Sequence, residues 1–148
     1  MMLDSLKTLF SRDLGKLKQE IEAYRHERNI WATGGSISNS AGNLCLHLIG
    51  NLNHFAGKVL GGTDYVRNRD LEFSLQNVPR QELIKKIEET ITVVEMALGK
   101  TDPAGLDEDY PIIVFDKKVT VEYMLLHLCN HLGYHLGQIN YHRRLLDN

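Results

Sequence analysis

Imidazole is the side chain in this sequence best placed to do chemistry. There are seven histidines, and His127, His131, His135 and His142 fall together in the last stretch of the chain. At about 100° per helical residue, His131, His135, Gln138 and His142 all lie within about 80° of His127. They form a band along the edge of an apolar stripe made by Val121, Leu125, Leu128, Leu132, Leu136 and Ile139. His131 and His135 are four apart, so their rings project one above the other and can converge on one cation. A third ligand must come from elsewhere. A second apolar stretch offers His47 and His54, of which His47 lies nearer its middle. Packed together, His47, His131 and His135 build a three-nitrogen site with room for water or substrate, the open arrangement of a catalytic divalent ion. Three neutral ligands leave the ion its full double charge, which ionises a water near pH ~7 and a thiol more readily still. Two chemistries follow: hydrolysis of an electrophilic carbonyl, or transfer of a thiol to an electrophile.

Each histidine has a plainer reading as a polar edge residue with a hydrogen-bond partner. That reading is preferred for His127 and His142, and His26 sits in a charged Arg-His-Glu-Arg run that belongs on the surface. Cys45 and Cys129 each precede a candidate ligand by two residues, but two helical steps turn a side chain by about 200°, towards the core. They read as buried, inert thiols. Neither histidine-bearing stretch contains a Glu-x-x-His pair, which disfavours carboxylate-bridged di-iron chemistry. Glu88-Glu89 and Asp107-Glu108-Asp109 read as solvated faces, and no residue is assigned as catalytic.

Four amphipathic stretches must position these groups, and no run alternates as a strand would. The first, Leu3 to Tyr24, carries Leu3, Leu6, Phe10, Leu14, Leu17, Ile21 and Tyr24 at helical steps. The second runs from Ser40 to Leu60 and stops at Gly61-Gly62. The third starts at Pro79 and reaches Gly99 through Leu83, Ile87, Ile91, Val94 and Leu98. The fourth, capped by Thr120, runs from Val121 to Leu146. The expectation is an all-α four-helix bundle, one domain over residues 1–148. The linker Thr63–Val78, about 16 residues, is longer than most helix–helix connections and can traverse the bundle. The segment 100–119 reads as irregular, with Ile112–Phe115 too short to assign.

Composition narrows the function classes. The chain has 148 residues, 43% hydrophobic and 24% charged, with a net charge of −2. That balance gives no basic face for nucleic acid and no polybasic cluster for an anionic membrane. No apolar run is long enough to span a bilayer, the first residues read as an amphipathic helix, and two cysteines are too few for a disulfide scaffold. A cytoplasmic protein acting on a small molecule is expected, with neither nucleic acid nor membrane as partner. The rival class is a non-catalytic dimerising or metal-binding module, for which Met96, Leu126 and Leu146 would suit a helix-on-helix face.

The segment His131-Leu-Gly-Tyr-His135-Leu-Gly-Gln138 resembles the histidine-x3-histidine-x-glycine-glutamine signature of the DinB-like (YfiT-like) superfamily of metalloenzymes. Asn43-Leu-Cys-Leu-His47-Leu is similar to that superfamily's second-helix segment, in the expected order and separation. The resemblance covers nearly the whole chain. It implies that His47, His131 and His135 bind a divalent ion, commonly zinc or nickel, and that the bundle runs up-down-down-up with its long crossover between the second and third helices. It also implies homodimers and, in some relatives, thiol S-transferase or isomerase chemistry with low-molecular-weight thiols such as bacillithiol or mycothiol. Such thiols are anionic, so Arg67 or Arg69 in the linker is a candidate carboxylate clamp. Gln138 and Asn51 are candidates to back the ligands or touch substrate. One departure stands out: many members carry arginine where this chain has Leu136.

Overall fold

The computed structural model describes residues 1–148 as an all-helical chain. Helix α1 spans Met2–Ala23 and buries Leu3, Leu6, Phe10, Leu14, Leu17 and Ile21, the stripe its periodicity predicts. A 3-10 turn, Glu27–Trp31, follows. Helix α2, Ala41–Leu52, starts at Ser40, whose hydroxyl accepts from the Asn43 backbone N–H at 3.1 Å. All twelve of its residues are buried, so α2 lacks the wet face of a surface helix and runs through the middle of the molecule.

The expected second helix does not continue to Leu60 as a regular α-helix. After Leu52 the chain widens into π-helical turns over Asn53–Lys58, with Val59 N–H bonding back to the His54 carbonyl at 3.1 Å. Asn53 is engaged there on two sides: its amide donates to Ile49 O at 2.8 Å and to Thr90 Oγ1 at 2.9 Å. Gly57 then lies so close to α4 that a Cβ would meet the Val93 methyl at 2.6 Å. The helical path ends at Gly62, whose φ of 73° needs glycine.

The following linker is not wholly irregular. It holds a short helix, α3 (Arg69–Ser74), whose Asn68 side chain accepts from Leu71 N–H at 3.3 Å. Asn43 ties this crossover to α2 by donating to the carbonyls of Glu72 (3.0 Å) and Leu75 (2.8 Å). Helix α4, Arg80–Lys100, begins directly after Pro79. Helix α5, Val121–Leu146, begins at the Thr120 cap, and residues 101–120 before it contain only a 3-10 turn and an isolated bridge.

Chain direction follows from the contacts. Lys18 meets Glu88 at 2.9 Å and Arg80 Nη2 donates to Tyr24 O at 2.9 Å, so α1 and α4 are antiparallel. Arg12 and Asp13 lie beside Cys129, and further along α1 Glu20 pairs with Arg143 at 2.7 Å, so α1 and α5 are parallel. Asn53 meets Thr90 and Gly61 meets Lys100, so α2 and α4 run together, antiparallel to α5. The order is up-down-down-up, and α2 and α4 can share a direction only because the crossover between them spans the bundle. A single cluster of 31 buried apolar residues forms the core. No helix is long and apolar enough to cross a membrane.

Candidate metal centre

Where α2 faces α5, His47, His131 and His135 each present a ring nitrogen, and these atoms lie within 4.8 Å of one another. The Nε2 atoms of His47 and His131 are 3.1 Å apart. Two nitrogens bound to one tetrahedral zinc at 2.0–2.1 Å would be separated by about 3.3 Å, so this pair has close to the spacing an ion requires. The rings of His131 and His135 meet edge to face at 4.5 Å between centroids, and those of His47 and His135 at 5.2 Å.

Two of the three rings are held from behind. His47 Nδ1–H donates to Glu72 Oε1 at 3.0 Å, which leaves the Nε2 lone pair facing the cluster. Glu72 is itself gripped by Arg67, with Nε to Oε2 and Nη2 to Oε1 both at 2.9 Å. Arg67 Nη2 also stands 3.4 Å from His47 Nδ1, a donor beside a donor, and both donors turn to the carboxylate they share. Burial alone would push the Glu72 carboxyl up, but its bonds to His47 and Arg67 outweigh that and hold it below its ordinary range. On the other helix, His135 Nδ1–H donates to Gln138 Oε1 at 2.7 Å, again freeing Nε2. The tautomers are assigned from these partners.

The His131 ring packs against both others, with centroids 5.0 Å from His47 and 4.5 Å from His135, and its buried Nδ1 has no protein partner. Burial, then repulsion from His135 and His47, pushes its pKa down to about 4. Burial likewise lowers His135. Imidazoles held neutral in this way keep their lone pairs for a metal at neutral pH. The donor set therefore fits a divalent ion: three neutral nitrogens from two helices, two of them backed by hydrogen-bond acceptors.

Glu72 is the site residue that sequence reasoning missed. It is 5% exposed, and it reaches His47 by lying across Gly50, where a Cβ would come within 2.6 Å of its carboxyl carbon. Arg67, read as a clamp for a ligand's carboxylate, is paired with this internal one. Arg69 is exposed and lies over the Phe73 ring at 5.5 Å. Asn51 is buried on α2, with Oδ1 lacking a partner. His127 packs on Phe115 at 4.8 Å, outside the cluster. His142 donates from Nε2 to Ala32 O and accepts from the Tyr24 hydroxyl, each at 2.7 Å, a structural role. Cys45 is fully buried and its thiol is pushed up to about 12 by burial, and burial also raises Cys129, so neither supplies a ready thiolate.

Fold and site together define an all-helical bundle whose two facing helices gather three histidines able to hold a metal ion. Over residues 2–148 the chain matches the family described as "Protein of unknown function (DUF1572)", and it belongs to that family. No curated protein matches the chain.

Proposed function

We propose that this protein is a divalent-metal-dependent enzyme of the DinB-like kind, which transfers a low-molecular-weight thiol to a small electrophile, with zinc or nickel held by His47, His131 and His135. The observation that carries the reading is the 3.1 Å approach of two Nε2 atoms, one of whose rings is fixed by a buried carboxylate. This spacing is close to that of two ligands on one ion, and Glu72 orients the His47 ring from behind, which suits a cation held between them. When bound, a divalent ion with three neutral protein ligands keeps a position for substrate and acidifies a thiol or a water there. The chain's own residues do the rest. Glu72 and Gln138 aim the His47 and His135 rings, Arg67 keeps Glu72 ionised, and the packing around His131 prevents its protonation.

The test begins with metal analysis of freshly purified protein. Near-stoichiometric zinc or nickel that is lost in His131→Ala supports the reading, and a metal-free wild type that takes up neither ion on addition refutes it. The loaded protein is then given bacillithiol or mycothiol with 1-chloro-2,4-dinitrobenzene, and separately a p-nitrophenyl ester. Metal-dependent thiol conjugation supports transfer. Ester hydrolysis without conjugation would replace it with hydrolase chemistry, and neither reaction would leave a metal-binding module.

A further inference from the structure

A cleft of about 500 Å³ opens beside the metal centre, between residues 36–39, the start of α2 and the second half of α5. His135 and Gln138 line it, so it adjoins the histidine that a bound ion would share with substrate. Its volume lies in the range of small-molecule sites. Ile37, Leu44 and Leu145 give it apolar walls, and Tyr134 and Tyr141, both about two-thirds exposed, add aromatic faces. Ser36, Ser38 and Asn39 add polar groups that carry no charge. No lysine, arginine, aspartate or glutamate lines the cleft. His142 reaches it too, but both ring nitrogens are already engaged with Tyr24 and Ala32. Arg144 rests over the Tyr141 ring at 5.1 Å and is not part of the wall. Arg67, the cation closest to the ligands, is committed to Glu72.

We infer that this cleft binds the electrophilic substrate and that the substrate is an uncharged, partly apolar molecule carrying a ring or similarly flat group. Apart from a bound ion's own charge, the walls hold no cation to replace an anion's lost water, whereas a neutral ring gains from the apolar walls and the tyrosine faces. Neutral hydroxyl and amide groups orient such a ligand without selecting for charge. The inference rests on the proposed enzyme reading for where the reacting atom lies, but binding to the cleft itself does not require the ion.

Two probes of matched shape test it: 2-naphthamide, which is neutral, and 2-naphthoate, which is an anion. Both are titrated into metal-free protein, so that a carboxylate gains nothing from an ion, and binding is followed by calorimetry and amide NMR shifts. The amide is expected to bind at least about tenfold more tightly, with shifts centred on Tyr134, Tyr141 and Leu145. Tyr141→Ala and Leu145→Asp, both at exposed positions, should each weaken the amide about tenfold, and Leu145→Arg should turn the preference towards naphthoate. Naphthoate binding as tightly as the amide overturns the inference. So does failure of the amide to bind, or amide binding that none of the three variants changes. Zinc stoichiometry of the same samples is read separately. Amide binding in a protein that takes no metal would sink the enzyme reading and keep the cleft; full zinc loading without amide binding would do the reverse.

Discussion

At the scale of single residues, the candidate centre depends on side chains that are not among its three histidines. Glu72→Gln keeps an acceptor for His47 Nδ1–H but removes the charge that both His47 and Arg67 face. We expect zinc affinity to fall about 10- to 100-fold with helix content unchanged, measured by chelator competition and circular dichroism. Unchanged affinity would mean that Glu72 only packs. The depressed pKa of His131 has a signed consequence. With a folded value near 4 against an unperturbed value of about 6.5, the unfolded chain takes up a proton before the folded one does. Stability of the metal-free protein is therefore full above pH ~6.5 and declines as pH falls towards ~4. Melting temperatures between pH 7 and 4.5 should drop more steeply for wild type than for His131→Gln. The same shift moves the part of the proton competition for zinc that falls on His131 to lower pH, so chelator competition should show affinity weakening less between pH 7 and 6 than it would with that ligand at the unperturbed value of about 6.5.

At the scale of elements, the long helices were legible and the short ones were not. The stripes of α1 and α5, and the Thr120 cap, appear in the structure within a residue or two of their expected bounds, because many apolar positions repeat the same period. Helix α3 has only six residues, fewer than two turns, so no periodicity betrays it, and its cap is an ordinary Asn in a charged linker. The π-helical end of α2 depends on Asn53 and Gly57 meeting α4, which local sequence does not encode. The site divides in the same way. His131 and His135 announce themselves by spacing on one helix, and the choice of His47 needed only that two apolar stripes pack. Glu72 is invisible beforehand because its relation to His47 exists only once α3 has folded against Gly50. Gly50→Ala puts a methyl group into that carboxylate. Its expected cost is about 1–3 kcal/mol in urea unfolding, together with weaker zinc binding as Glu72 is displaced. A neutral Gly50→Ala would show that the crossover yields at no cost.

At the scale of the whole molecule, the candidate ligands sit on α2 and α5, and the carboxylate behind His47 sits on α3. An ion there ties three parts of the chain that meet only when folded. Zinc at 100 times its dissociation constant should therefore stabilise the protein by about 2.7 kcal/mol, read as a shift in the urea midpoint, and should not stabilise the His47→Ala, His131→Ala, His135→Ala triple variant. The crossover that carries α3 also lets α2 and α4 share a direction. Were it pruned to a tight hairpin, α4 would be turned end for end and the partner of His47 would vanish in the same deletion. Architecture and the candidate metal centre thus share a single stretch of chain, so shortening that stretch cannot spare one while sacrificing the other.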